Sequence, residues 1–162
     1  MLELLDTRHT WAELGKPPNF DTCTRDTYPP ETSFSPARAL RTLRGVAAAC
    51  AHLHSRGFTH GDLYAHNTLV DTSCGEAKVG DFGAAYLYKP LGPTAAPAIE
   101  RIEARAFGCL AEEMLERLGP KGDEAGRLAA ALQPLVGRCM QPEVLARPSF
   151  AEIVAELAKA KA

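Results

Sequence analysis

The run His60–Asn67, HGDLYAHN, restricts this chain more than any other stretch. An acid, an amide and two histidines crowd into one turn, directly before the β-prone run Thr68-Leu69-Val70-Asp71. Unpaired polar groups in a core cost kilocalories, so a cluster of this kind faces a cleft or a partner. Its flanks fix what the run must connect. Upstream, Ser35-Pro36 reads as an N-cap followed by proline at the first helical position. Leu40, Leu43, Val46, Ala47, Cys50 and Leu53 then recur at three- and four-residue steps until Gly57. Downstream, TLVD and AKVGDFG are short β-prone runs joined by Thr72-Ser73-Cys74-Gly75, a hairpin pattern. The polar run therefore bridges an amphipathic helix and a hairpin.

The rest of the chain predicts mostly helix. Met1 to Leu5 is too short to assign, and from Lys16 to Pro36 the prolines 17, 18, 29, 30 and 36 predict a long irregular loop. A Pro/Gly/Ala-rich stretch from Tyr88 to Pro97 leads into a central helix at about residues 100–118, with Ile102, Ala106, Phe107, Leu110, Met114 and Leu118 on its apolar face. A third helix spans about Glu124 to Met140, interrupted or bent near Pro134. A last helix opens on the capping box Ser149-Phe150-Ala151-Glu152. The fold class is predominantly α with a short β-hairpin, α+β. Leu40, Leu43, Val46, Leu53, Leu69, Phe82, Phe107, Leu110 and Met114 are the expected core.

Composition narrows the function classes. Eighteen Lys and Arg against 20 Asp and Glu give a formal charge of −2, with no basic excess to point to nucleic acid or an anionic membrane. Five scattered cysteines, an odd number with no C-x-x-C pair, argue against a zinc cluster and a disulfide framework and predict a reducing, cytoplasmic setting. Neither a secretory leader nor an apolar run of bilayer length is evident in the sequence. His52 and His54, two apart on a helix, point to different faces and predict no metal site; Cys50 and Cys109 read as small buried hydrophobes.

Asp62 and Asn67 stand five residues apart on the loop, and a second acid, Asp81, opens DFG at the end of the hairpin. Taken singly, Asp62 is a turn cap and Asn67 a partner of local backbone. Together they place two carboxylates and an amide where they can converge. Phosphoryl transfer from a nucleotide needs magnesium held by hard oxygen ligands and a carboxylate that orients the attacking hydroxyl, so each task has its group.

HGDLYAHN followed by VGDFG resembles the catalytic loop (60–67) and magnesium-binding motif (81–83) of the eukaryotic-like protein kinase family. IEARAFGCLAEEML resembles that family's central helix, and RCMQPEVLARPSFAEIVAEL its closing segment, so the likeness runs from about Ser35 to Leu157. The resemblance implies ATP and Mg2+ as cofactors, Asp62 as catalytic base, Asn67 and Asp81 as metal ligands, and Leu69 beneath the adenine. It further implies His60 and Phe82 packed under the site and Arg147 in the place of a buried structural arginine; read by itself, Arg147 is a buried ion-pair partner with Glu100 or Glu103 as candidate. His66 is structural or contacts a phosphate or hydroxyl. A protein is the implied acceptor.

The sequence also departs from the family. No Gly-rich phosphate loop and no V-A-I-K-like lysine precede the catalytic loop, so residues 1–34 read as a hinge-like start and loop, and 35–162 as a C-terminal lobe with the N-terminal lobe absent. A chain of this kind is expected to be inactive alone and to require an upstream lobe. A looser resemblance to bacterial proteins in which a kinase domain follows leucine-rich repeats suggests such repeats as an alternative upstream region. Gly61 replaces the family's usual arginine, which implies no switch by a phosphorylated activation segment. The family's A-P-E landmark is reduced to Ala96-Pro97-Ala98, and Glu103 stands for the family's aspartate, its longer side chain still expected to accept backbone hydrogen bonds. H-G-D-L is also similar to aminoglycoside and choline phosphotransferases. Two competing expectations follow: a pseudokinase-like interaction module and a small-molecule phosphotransferase.

Overall fold

The computed structural model describes residues 10–119 and 122–161. The hinge reading of Met1 to Leu5 falls outside them. Strand β1 (Trp11–Glu13) is followed by the proline-rich loop and helix α1 (Pro36–Ser55). Strand β2 (Phe58–Thr59) leads into the polar loop 60–67, and the hairpin β3 (Thr68–Asp71) and β4 (Ala77–Val79) comes next. Strand β5 (Tyr86–Leu87), helix α2 (Gly92–Glu116), helix α3 (Asp123–Cys139) and helix α4 (Phe150–Lys159) complete the order. This is a helical α+β fold of the expected class. No helix among the described residues is long and apolar enough to cross a membrane.

Local chemistry sets the boundaries that the sequence announces. The Ser35 hydroxyl accepts from the Arg38 amide and Pro36 opens α1, while Gly57, at φ 83°, turns the chain away from its end. Ser149 and Glu152 form both halves of the capping box on α4. At the other end of α4, the Arg44 guanidinium on α1 donates to the carbonyls of Leu157 and Ala160, satisfying acceptors that the helix leaves unpaired. The β3–β4 turn closes on the Asp71 carboxylate, which accepts from the Ser73 and Cys74 amides.

Several expectations are corrected. The sheet has three antiparallel strands, β1-β3-β4, because Trp11–Glu13 pairs with Leu69–Asp71; a second pair joins β2 to β5. Helix α2 begins at Gly92 rather than near residue 100, since Pro93 stands in the first turn, where a missing N–H leaves no rung empty. Helix α3 runs unbroken through Pro134.

The core lies between α1, α2, α3 and α4, with Leu43, Val46, Phe107, Met114, Leu128 and Ile153 fully buried and Phe107 edge-on to Phe150 at 5.7 Å. Leu53 and Leu69 are only half-buried. Ile102 is 55% exposed and Phe82 38% exposed, against expectation. On α2 the buried stripe runs Glu103, Phe107, Leu110, Met114, one residue round from Ile102. The Phe82 ring meets His60 at 4.9 Å without being enclosed.

Candidate phosphotransfer site

Loop 60–67 has no regular structure, and buried side chains hold it in place. His60, fully buried, lies with Nε2 2.8 Å from the Gly80 carbonyl, while its Nδ1 accepts from the Asp62 amide at 3.3 Å. The carbonyl must receive a proton, so Nε2 carries the hydrogen and the ring pins the residue before Asp81 to the residue that offers Asp62. Gly80 answers through its amide, which donates to the Asn67 carbonyl at 2.8 Å.

The predicted site residues converge in part. Asn67 Nδ2 donates to the Asp62 carboxylate Oδ2 at 2.9 Å and to the Asp62 carbonyl at 3.0 Å. Both amide protons are thereby directed at Asp62, which leaves Asn67 Oδ1 as the oxygen suited to a hard cation. Asp81 holds the left-handed conformation, φ 53° and ψ 73°, with Oδ1 accepting from the Gly83 amide at 3.2 Å. A non-glycine residue takes that conformation at a local energetic penalty, and such residues gather at functional sites. The exposed Asp81 carboxylate, the half-buried Asp62 carboxylate and the Asn67 amide oxygen are hard oxygen donors, the type that magnesium prefers and a soft metal does not. Leu69 lies on the side of β3 opposite the buried Thr68 and Val70.

Glu103 anchors the near end of the loop from α2. Its Oε1 accepts from the Gly61 amide and the Thr59 hydroxyl, each at 2.8 Å, and its Oε2 lies 2.6 Å from His54 Nε2. Burial pushes the Glu103 carboxyl up, yet the hydrogen bonds from His54, Gly61 and Thr59 outweigh it, and the net shift is downward. The backbone contact expected of this glutamate is present. Its expected partner is not: Arg147 donates to the carbonyls of Gln141 (2.7 Å), Arg101 (3.2 Å) and Pro142 (3.3 Å). Glu100 instead accepts from the Tyr88 hydroxyl. Arg147 thus serves as a clamp on backbone dipoles, the five-donor fork of guanidinium suiting several carbonyls at once.

Gly61 has φ +79°, and a Cβ there would meet the Ala84 carbonyl oxygen at 2.5 Å. The segment after DFG therefore lies directly on the position where the family's usual arginine would stand. A cavity of about 430 Å³ opens beside Asp62, between the loop and α2, with Tyr64, Tyr86, Ile102 and Glu113 among its walls. His66, left undecided by the sequence, proves to be bonded through both its amide and its ring to Asp26, a residue that sequence reasoning missed. Only the sequence-distant fold brings the two together.

The sequence matches known protein kinases. Residues 19–99, half of the chain, match the protein kinase domain family. The serine/threonine/tyrosine-protein kinase HT1 of Arabidopsis thaliana is 27% identical over 161 aligned residues, covering 78% of this chain and 41% of that protein. The serine/threonine-protein kinase GRIK1 of the same plant is 37% identical over 60 residues, 37% of this chain and 15% of that protein. The leucine-rich repeat receptor-like protein kinase PXC2, also from Arabidopsis thaliana, is 51% identical over 43 residues, 26% of this chain and 4% of that protein. The chain spans less than half the length of these curated relatives. The matched region contains both HGDLYAHN and DFG, and the chain belongs to the eukaryotic-like protein kinase family.

Proposed function

We propose that this chain carries the base and metal-ligand half of an ATP-dependent phosphotransfer site whose acceptor is a protein hydroxyl. The observation that carries the reading is the Asn67–Asp62 hydrogen bond of 2.9 Å, with His60 and Asn67 each bonded to Gly80, the residue that precedes Asp81. Asn67 fixes Asp62 Oδ2, so Oδ1 is the oxygen that receives the acceptor's proton. Asn67 Oδ1 and the Asp81 carboxylate would hold magnesium, which when bound offsets the charge of the nucleotide phosphates. Leu69 is the residue proposed to meet the adenine.

Positioning and electrostatic stabilisation supply most of the acceleration in phosphoryl transfer. The 162-residue sequence contains no Gly-rich loop and no strand lysine to cover and orient the phosphates. We therefore assign it the C-terminal part of the catalytic unit, active when an upstream lobe is supplied. The test is transfer of phosphate from ATP with magnesium to a generic protein acceptor, comparing the 162-residue chain with the same chain joined to an upstream kinase lobe. Turnover only in the joined form supports the reading. No turnover in either, with the motifs intact, favours a pseudokinase-like binding module.

A further inference from the structure

Loop 60–67 is held at two places by buried carboxylates from outside it. Glu103 holds the Gly61 end from α2. The other carboxylate is Asp26, from the proline-rich loop, and no motif marks it. Its side chain is 1% exposed, and both its oxygens reach one residue, His66: Oδ2 accepts from the His66 amide at 3.1 Å and Oδ1 lies 2.8 Å from His66 Nδ1. An ionised carboxylate can only accept, so Nδ1 of His66 bears the proton. The imidazole is stacked on Tyr64 at 5.2 Å, which fixes its plane.

Asp26 is itself rigidly mounted. One residue on, Thr27 exchanges two backbone hydrogen bonds with Lys16, just after the chain leaves β1. One residue back, Arg25 pairs with Glu112 at 2.6 Å and with Glu113 at 3.3 Å on α2. The carboxylate thus stands on a support shared by the sheet and the central helix. His66 immediately precedes Asn67, whose two amide protons go to Asp62. A continuous path runs from Asp26 through His66 and Asn67 to Asp62, across 40 residues of sequence at its first step.

We propose that Asp26 is a positioning residue for the phosphotransfer site: by holding the backbone and ring of His66, it keeps Asn67 in register with Asp62. The inference rests on reading Asp62 and Asn67 as base and metal ligand. A carboxylate that served only to close the proline-rich loop would have no effect on the Asn67 amide. The two roles therefore separate by spectroscopy, without any assay of phosphate transfer.

The experiment is NMR of the 15N-labelled 162-residue chain, following the Asn67 side-chain amide protons and the His66 ring nitrogens in Asp26→Asn and Asp26→Glu. Thermal midpoints are recorded in parallel, with Leu157→Ala as a variant destabilised elsewhere. In Asp26→Asn the Asn67 amide protons should exchange faster by about tenfold, the factor that loss of one hydrogen bond of ordinary net strength produces, and His66 should lose its fixed Nδ1–H form. Asp26→Glu, which keeps the charge and both acceptors, should recover part of the protection. Leu157→Ala should lower the midpoint and leave the Asn67 signal in place. If Asp26→Asn does not fold, His66→Ala, which removes the ring contact and keeps the amide contact, is read in the same way. An Asn67 signal that stays unchanged while the midpoint falls would overturn the proposal. Lost protection in a chain that never transfers phosphate would instead overturn the functional reading and leave the clamp standing.

Discussion

His54 Nε2 lies 2.6 Å from Glu103 Oε2, so α1 grips, through one carboxylate, the same side chain that holds the start of loop 60–67. The Glu103 carboxyl is held below its ordinary value of 4.5 in the folded chain. A depressed acid contributes stability that is present above its unfolded pKa and lost as pH falls through the folded one. Thermal midpoints should therefore drop as pH is lowered below 4.5. Glu103→Gln should weaken that dependence and lower neutral stability by roughly 1–3 kcal/mol, as measured by circular dichroism melts across the acid range.

Glu113 behaves in the opposite sense. Burial pushes its carboxyl above 4.5, outweighing the hydrogen bonds from Tyr28 and Arg25. A raised acid favours the fold while protonated, and stability is lost as pH rises through the folded value. Glu113→Gln should flatten the stability profile just above pH 4.5. An unchanged slope there would show that this carboxyl titrates alike in both states.

Gly61 and Gly126 should respond oppositely to alanine. At Gly61 the positive φ and the Ala84 carbonyl leave no room for a Cβ, so Gly61→Ala should cost about 1–3 kcal/mol. Gly126 lies on the exposed side of α3 with open space around it, and Gly126→Ala should stabilise by about 0.5–1 kcal/mol. Denaturant unfolding of the two variants makes the comparison.

Two apolar residues of α2 should likewise part ways. Phe107 is enclosed and edge-on to Phe150, so Phe107→Ala should cost about 3–5 kcal/mol. Ile102, on the cavity wall, should tolerate alanine to within about 0.5 kcal/mol. Equal losses at both positions would contradict the burial pattern.

For the chain joined to an upstream lobe, Asp62→Asn and Asp81→Asn should each reduce phosphate transfer by about two orders of magnitude or more. Phosphatase treatment of the same protein should leave the rate unchanged. Of the hydroxyls between Gly83 and Glu100, Tyr88 is buried and bonded to Glu100, and at position 61 there is no side chain to read a phosphate. A large loss of rate after dephosphorylation would refute this.

What could be read from the sequence was local. Ser35-Pro36 and Ser149 to Glu152 announce helix starts because a cap and its target lie within one turn. HGDLYAHN and DFG signalled the site because the hairpin between them is short. Trp11–Glu13 was illegible because its partner strand is distant in sequence and the pairing, not propensity, makes it a strand. Gly92, Pro93 and Pro97 disguised the start of α2, which later packing at Phe107 and Met114 stabilises. Ile102 was misplaced because a buried glutamate, Glu103, takes the inward position that an apolar pattern awards to its neighbour. Asp26 was invisible for a related reason: its partner lies 40 residues away.

Among the described residues Arg147 grips three carbonyls and no carboxylate, and this sets the division of labour on α2. A guanidinium stays charged throughout the pH range in which proteins fold, and its carbonyl partners never titrate, so these contacts between α2 and the turn before α4 contain no group that acid switches off. With the arginine satisfied by backbone, both glutamates near the middle of the helix are released for duty on the other side: Glu100 fastens Tyr88, and Glu103 fastens loop 60–67. Acid strong enough to protonate Glu103 should then loosen the loop from the helix while the Arg147 contacts stay in place.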